Sequence, residues 1–162
     1  TLDRHKGRAV GYDVVLAGFN GRLDEIRAAL LRTQLSRLPE FLKGRRRAFR
    51  IYTELLEGSR VGVPFTMGRF AADLDDTGVH IMAVILPPGT DRAMVMAALA
   101  EKRIQSSIHY PPLNSFAMYR DDSSELAETM DLAARQLTLP LYPTIADEDI
   151  ELVVSTLLRV VA

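Results

Sequence analysis

Residues 80–103, HIMAVILPPGTDRAMVMAALAEKR, decide the fold of this chain. Their first part, His80–Leu86, is a continuous apolar run that a Pro-Pro-Gly turn closes. This length and these flanks predict a buried strand rather than a helix. Thr90 then predicts the N-cap of a helix that runs to Arg103.

The segments after this unit continue the alternation of strand and helix. A second strand is expected over Ile104–Tyr110, which gives a strand–helix–strand unit. A helix is predicted from about Ser124 to Arg135, and the prolines make Leu139–Pro143 extended. Thr144 with Asp147 matches a variant of the capping box before a last helix. The apolar residues of that helix follow an unbroken i, i+3, i+4 pattern: Ile150, Val153, Val154, Leu157, Leu158 and Val161.

Two helices are predicted upstream. The first runs from Gly21 to about Arg37, with Asn20 as its N-cap and Pro39 ending it. Its leucines cover more than one stripe, which favours packing on two sides, for example on its own core and on a partner chain. The second runs from Phe41 to about Leu56, and Gly58 supplies its stop. Helices at both ends of a small sheet predict a two-layer α/β sandwich.

The composition excludes several classes of protein. The chain has 162 residues, 48% hydrophobic and 25% charged, in the ordinary range of one globular domain. Its 20 basic and 21 acidic side chains give a net charge of −1, which argues against general attraction to nucleic acid or anionic lipid. It has no cysteine, so disulfides, thiolate metal sites and a cysteine nucleophile are excluded. No apolar stretch approaches the roughly 20 residues that span a bilayer. We therefore expect a cytoplasmic protein without a membrane partner.

The histidines offer one candidate site. His5, His80 and His109 lie far apart and lack metal-ligand spacing, so no metal site is predicted. His109 begins the cluster His109–Asn114, HYPPLN, at the end of a predicted strand. Rigid polar loops at strand ends often carry functional groups, but a purely structural turn gives the same pattern. Both interpretations stay open at this point.

A basic run lies on the second helix, over Lys43–Arg50. It could touch phosphates, with Phe49 and Tyr52 stacking on bases, as in a nucleic-acid binder. Both aromatics fall on the inward face, however, and the total charge is balanced. The pattern therefore favours a solvated helix face and no nucleic-acid partner.

A phosphate site is a second hypothesis, at the start of the first helix. Asn20, Gly21 and Arg22 combine free backbone amides, a small residue and a guanidinium. The alternative is an ordinary capped helix, because Asp24 and Glu25 can satisfy the same helix dipole.

The N-terminal third of the chain resembles a known family. Its segments Asp3–His5, Gly11–Val15 and Gly18–Leu30 are similar to the DegT/DnrJ/StrS family of pyridoxal-phosphate-dependent sugar aminotransferases, in the part that follows the cofactor lysine. The family's helix start, GxNyRxxExxAA, corresponds to Gly18–Leu30, and its QLxxL step to Gln34–Leu38.

Three later segments carry the same resemblance. Gly62–Pro64 resembles the approach to the family's small domain, Ile108–Leu113 its HYpPlH motif, and Leu139–Thr144 its LPlyPxLt motif. These motifs occur in order over essentially the whole chain, which makes the resemblance specific. Two positions depart from it: Gly21 replaces an aromatic residue, and Asn114 replaces the motif's second histidine, so it cannot act as an acid or base. Both departures concern the identity of the substrate.

The resemblance implies that this chain is the C-terminal part of a fold-type-I aminotransferase. Residues 1–57 would end the large cofactor domain with its interface helices, and residues 58–162 would form the small α/β domain. The lysine that binds pyridoxal phosphate covalently precedes this part in the family. Lys6, Lys43 and Lys102 do not lie in the family's lysine context. The chain alone is therefore expected to bind no cofactor covalently and to be inactive.

The resemblance also implies a reaction and its sites. The intact enzyme would transfer an amino group, typically from glutamate, to a keto sugar nucleotide. Asn20 and Arg22 would reach the cofactor phosphate of the neighbouring subunit in a homodimer, and His109, Tyr110 and Asn114 would line the substrate end of the pocket. The related dehydratases, in which histidine replaces the lysine, remain open. The alternative from another class is a stand-alone, non-catalytic binding or dimerisation module.

Overall fold

The computed structural model describes residues 18–19, 21–64, 77–119 and 126–162. Over these ranges it contains four α-helices, two 3-10 helices and two strands. They are α1 (Glu25–Leu56), β1 (Met82–Ile85), α2 (Arg92–Glu101), the 3-10 helices Leu113–Ser115 and Ala117–Tyr119, α3 (Ala127–Arg135), β2 (Gln136–Leu139) and α4 (Asp147–Val161). The predictions for Asn20 and Lys6, and the first two segments of the resemblance, lie outside the described residues. No helix of the described part is both long and apolar enough to cross a membrane.

The helix α1 replaces the two helices predicted upstream. It runs unbroken through Pro39, so the prediction that this proline ends a helix is wrong. Pro39 deletes one backbone hydrogen bond, whereas the leucine, arginine, glutamate and lysine residues on both sides keep favouring the helical conformation. The helix starts at Glu25 rather than at Gly21, because the Asp24 carboxylate accepts a hydrogen bond from the Arg27 amide (2.8 Å).

The chain separates into two compact units, Thr1–Ser36 and Arg37–Ala162. The helix α1 begins in the first unit and ends in the second. In the first unit, six large apolar side chains are more than half exposed. One is Phe19, and the other five lie on α1 or just before it: Leu23, Ile26, Leu30, Leu31 and Leu35. We call these five residues the apolar face. Among the described residues, this part of the helix is therefore not packed on two sides, and its contact with a partner chain stays a prediction.

The sheet is smaller than predicted and lies within the second unit. The strand β1 pairs antiparallel with β2, with Met82 opposite Leu139 and Ile85 opposite Gln136. Single bridges add Gly62 beside β1 and Ser107 beside β2. The predicted strand over residues 104–110 is thus reduced to one bridge, and the partner of β1 is a strand that was expected to begin only at residue 139. A parallel strand–helix–strand unit is not formed.

One hydrophobic core holds the second unit together. Buried side chains from α1, β1, α2, β2 and α4 form it, and α2 contacts α4. The periodic prediction for α4 is confirmed, because Ile150, Val154 and Leu157 are buried. Two caps were predicted wrongly: the Asp91 carboxylate caps α2 instead of Thr90, and Ala146 precedes α4 without a side-chain cap.

The basic run of α1 contacts the rest of the second unit. The Arg46 guanidinium donates to the backbone oxygen of Thr77 at 3.0 and 3.1 Å. The Arg47 guanidinium bonds both the Asp147 carboxylate and the Ile145 carbonyl. Phe49 is buried, as its inward position predicted. The prediction that this run forms only a solvated helix face is therefore wrong, because two of its arginines bridge α1 to other segments.

Candidate functional site

The position of His109 is set by the short pairing beside β2. Ser107 and Thr138 exchange both backbone hydrogen bonds, at 3.1 and 2.8 Å. Two residues later, the His109 amide donates to Oε1 of Gln136 (3.2 Å). These bonds fix the end of the 104–109 segment against β2 and place the imidazole ring over the strand.

Two hydroxyl groups contact the His109 ring. Its Nδ1 lies 3.1 Å from Oγ1 of Thr138 and 3.3 Å from Oγ of Ser107. Nε2 of Gln136 in turn donates to Oγ1 of Thr138 (2.8 Å). The sequence predicted His109 here, and the structure adds Gln136 and Thr138 to its surroundings.

Tyr110 lies directly beside His109. The two rings meet edge to face, with centroids 4.9 Å apart and an interplanar angle of 83°. The His109–Tyr110 peptide bond is cis. Tyr110 is 74% exposed, so it is accessible to a ligand or another polypeptide.

A cavity of about 570 Å³ opens on one side of His109. Its polar lining includes Ser107, His109 and Thr138, and the cationic Lys102 and Arg103 and the anionic Asp149 line it too. Its volume lies in the range of small-molecule pockets. The described residues that line the cavity lie between 102 and 153, within the second unit.

Asn114 stands apart from this cavity. It lies in the first 3-10 helix, and its Nδ2 contacts the sulfur of Met130 at 3.9 Å. Its Oδ1 is buried and has no hydrogen-bond partner in the described part of the chain. Neither Asn114 nor Tyr110 lines the cavity of His109, so the three predicted substrate residues do not share one wall.

The predicted phosphate residues lie in the first unit. Arg22 is exposed, three residues before α1 begins, and Asn20 lies outside the described residues. Asp24 already occupies the start of the helix, through its bond to the Arg27 amide and a 3.1 Å ion pair with the Arg27 guanidinium. Any anion at this end would therefore depend on the Arg22 side chain more than on free helix amides.

Comparison with known proteins settles the family. The sequence model of the DegT/DnrJ/EryC1/StrS aminotransferase family matches residues 2–158. The chain belongs to this family. The match spans nearly the whole chain, including His109 and the Leu139–Thr144 segment. The predicted resemblance is thereby confirmed.

Curated relatives are considerably longer than this chain. It is 26% identical over 160 residues to dTDP-3-amino-3,6-dideoxy-alpha-D-galactopyranose transaminase of Aneurinibacillus thermoaerophilus. It is 28% identical over 158 residues to UDP-N-acetyl-3-dehydro-alpha-D-glucosamine 3-aminotransferase of Acidithiobacillus ferrooxidans. Each alignment covers 96% of this chain but only 41% of the relative.

Solved structures agree on the fold. PseC of Helicobacter pylori, an aminotransferase of pseudaminic acid biosynthesis, superposes with a TM-score of 0.77 at 19% identity, over 92% of this chain and 40% of that one. A family aminotransferase of Brucella abortus superposes with a TM-score of 0.71 at 27% identity, over 91% of this chain and 38% of that one. A sugar aminotransferase of Streptococcus pneumoniae, solved in its PLP form, superposes with a TM-score of 0.74 at 22% identity, over 94% of this chain and 39% of that one. The predicted fold class, an α/β part of a fold-type-I aminotransferase, is confirmed.

Sequence reasoning missed Gln136 and Thr138. The signal was present, because the two polar residues alternate with Leu137 and Leu139 at the period of a strand and so share one face. The extended segment was expected to begin at Leu139, which left this alternation unused.

Proposed function

We propose that this chain is the C-terminal part of a pyridoxal-phosphate-dependent aminotransferase that acts on a keto sugar nucleotide, with an amino donor such as glutamate. The observation that carries the proposal is the continuous family match over residues 2–158 at only 41% of the length of the relatives. Residues 1–57 would then end the large domain and residues 58–162 would form the small domain.

Substrate contact is assigned to the surroundings of His109. The ring offers a polar atom beside the cavity of about 570 Å³, and the two cations of its lining, Lys102 and Arg103, outnumber its one carboxylate, Asp149. A sugar nucleotide combines hydroxyl groups with a negatively charged diphosphate, which suits a polar wall with cations nearby. Tyr110 and Asn114 would contact other parts of the substrate, since they lie outside this cavity.

The full-length enzyme is proposed to bind pyridoxal phosphate, with a contact from this chain. When bound, pyridoxal phosphate supplies the electron sink for transfer of the amino group. In this chain the exposed Arg22 guanidinium fits its phosphate, because a guanidinium binds phosphate oxygens in a bidentate manner. Asn20 is proposed as a second contact on the resemblance alone.

The covalent lysine is proposed to lie in another part of the enzyme. The two lysines of the described residues, Lys43 and Lys102, are both exposed. Lysines that react with carbonyl groups are activated by desolvation or by a neighbouring cation, and an exposed side chain lacks the first of these. We therefore propose that no lysine of this chain binds the cofactor covalently and that the chain alone does not transaminate.

A homodimer is proposed from the apolar face defined above. Exposed apolar side chains at helical spacing on one segment mark a contact with another polypeptide. In the intact enzyme the second subunit would make this contact, next to Arg22.

One variant pair tests the cofactor assignment in the full-length enzyme. Arg22→Ala is expected to weaken retention of pyridoxal phosphate roughly ten- to a hundredfold, the loss of a charged hydrogen bond worth about 1.5–3 kcal/mol. Arg32→Ala, an exposed arginine further along α1, is the control and should leave retention unchanged. Equal retention in both variants would show that the phosphate role of Arg22 is wrong.

A second experiment tests the covalent assignment on the chain itself. After incubation with pyridoxal phosphate and borohydride, the intact mass should show no stoichiometric adduct. A single modified lysine would overturn this part of the proposal.

The runner-up function is a stand-alone binding or dimerisation module. The cavity favours it, because the described residues that line it all lie between 102 and 153. A coding sequence that begins just before Thr1 would support the module, whereas an upstream lysine domain in the same reading frame would support the enzyme.

A further inference from the structure

Four polar residues form a closed hydrogen-bond network around His109. They are Ser107, His109, Gln136 and Thr138, and they lie on two segments that a single bridge joins. Because some of these groups can only donate or only accept, the network determines where the protons lie.

The orientation of the Gln136 amide follows from a backbone group. The His109 amide N–H can only donate, and it lies 3.2 Å from one end of the Gln136 side chain, which must therefore be the oxygen Oε1. The other end is then the NH₂ group, which donates to Oγ1 of Thr138 at 2.8 Å. No rotation of the amide satisfies both contacts in another way.

The Thr138 hydroxyl in turn determines which nitrogen of the His109 ring carries the proton. Its oxygen accepts from Gln136, and its one proton needs an acceptor, because the residue is only 5% exposed. Among the described residues, the acceptor within reach is Nδ1 of His109, at 3.1 Å. A proton on Nδ1 would leave the Thr138 hydroxyl without a partner.

We infer that Gln136 and Thr138 are positioning residues that hold the neutral His109 ring as its Nε2–H tautomer, so that it presents a hydrogen-bond donor. The Ser107 hydroxyl, 3.3 Å from Nδ1, can donate or accept, so it fits this arrangement without deciding it. A neutral ring in this form cannot take a proton at Nε2. It is suited to bind an acceptor oxygen, such as a sugar hydroxyl or a phosphate oxygen.

The link to substrate binding rests on the proposed function, but the tautomer does not. It is measured on the 162-residue chain without cofactor or substrate, by long-range ¹H–¹⁵N correlation spectra of the histidines in alkaline buffer. The His109→Gln variant identifies the signals of His109. Nε2 is expected to show the ¹⁵N shift of a protonated nitrogen and Nδ1 that of an unprotonated one.

The Gln136→Glu variant gives the decisive readout, because histidine favours the Nε2–H form even in a free peptide. The carboxylate replaces the NH₂ donor by an acceptor, so the Thr138 hydroxyl can donate to it and accept from Nδ1–H. We expect the proton to move to Nδ1. Gln105→Glu, which adds the same charge at a glutamine that lines the cavity but lies outside the network, is the matched control and should leave the tautomer unchanged.

The role of Thr138 is tested by two substitutions of similar size. Thr138→Ser keeps the hydroxyl and should preserve the ¹⁵N chemical shift of Nδ1 in the parent chain. Thr138→Val removes the hydroxyl and should move the Nδ1 shift toward the value of an imidazole nitrogen that accepts no hydrogen bond. The Gln136→Glu change should no longer move the proton in the Thr138→Val background. A parent ring protonated at Nδ1, or a proton that moves equally with and without the hydroxyl, would overturn the inference.

Discussion

Gly44 lies directly against the backbone of Pro143. A Cβ atom built on Gly44 would be 2.2 Å from the Pro143 carbonyl oxygen and 2.9 Å from its carbonyl carbon. The helix α1 therefore approaches the segment before α4 so closely that no side chain fits between them. This contact and the bonds of Arg47 lie one turn apart on α1 and join it to the same segment.

Gly44→Ala is expected to destabilise the chain. Alanine normally favours a helix interior over glycine by roughly 0.5–1 kcal/mol. Here the added methyl group meets backbone atoms, and overpacking of this kind costs about 1–3 kcal/mol. Urea unfolding measures the net loss. Gly21→Ala, whose Cβ would meet nothing within 4 Å, is the control, and a loss as large as that of Gly44→Ala would contradict the packing argument.

Arg47→Met should cost more stability than Asp147→Asn. The ion pair between these residues is 42% and 54% exposed at its two side chains, and such pairs contribute about 0–1 kcal/mol. Removing the arginine also leaves the carbonyl of the buried Ile145 without this donor, which adds about 1–3 kcal/mol. Thermal unfolding of both variants gives the comparison. Equal losses would show that the carbonyl bond contributes nothing.

The buried Tyr52 should make the chain less stable to unfolding in strong alkali. Its hydroxyl donates to the Pro140 carbonyl (2.9 Å), and burial raises the pKa of Tyr52 well above its ordinary value, with Tyr142 and Asp149 adding to the effect. The unfolded chain releases this proton from about pH 10 upward while the folded chain retains it, so the free energy of unfolding falls as pH rises above about 10.

The Tyr52→Phe variant isolates this contribution. At neutral pH it should lose about 1–3 kcal/mol, because the Pro140 carbonyl is left without its donor. Its stability should then decline less steeply than that of the parent chain from about pH 9 to pH 11. Tyr110→Phe, at an exposed position, controls for the other tyrosines. Parallel declines in all three proteins would contradict the role of Tyr52.

The apolar face predicts self-association of the chain. Ile26 and Leu30 lie one turn apart, so Ile26→Glu with Leu30→Glu places two charges on it. Sedimentation velocity should show dimers of the parent chain and monomers of this variant, because burying two unpaired carboxylates is prohibitive.

A control of equal charge tests whether that effect is local. Ser36→Glu with Arg32→Gln also lowers the net charge by two, at two exposed residues on the side of α1 opposite the apolar face. This variant should remain dimeric. A parent chain that is monomeric throughout, or dissociation in both variants, would contradict the assignment of the dimer contact.

The sequence predicted those features of the fold that depend on local periodicity. The spacing of Ile150, Val154 and Leu157 predicts α4, and the run around Met82–Ile85 predicts β1. The prediction that Pro39 ends a helix was wrong because a proline acts only locally, while helix propensity adds over the many residues on either side of it. The partner of β1 could not be predicted, since pairing depends on which segments meet in space.

The candidate site was predicted only in part. The motif around His109 drew attention to the histidine, and its contact with substrate stays a prediction. Asn114 was grouped with it by closeness in sequence, but the 3-10 helix places it beside Met130 instead. Gln136 was missed because its contact with the His109 amide joins residues 27 positions apart.

By itself, then, the sequence determined the family, the amphipathic helices and the residues that face the core, because each of these is written in the order and spacing of side chains along the chain. Tertiary structure alone decided that Thr138 and Gln136 surround His109, that Arg47 bonds the start of α4, and that Gly44 must have no side chain. Each of these depends on distances between atoms of remote segments, and such distances exist only once the core has formed.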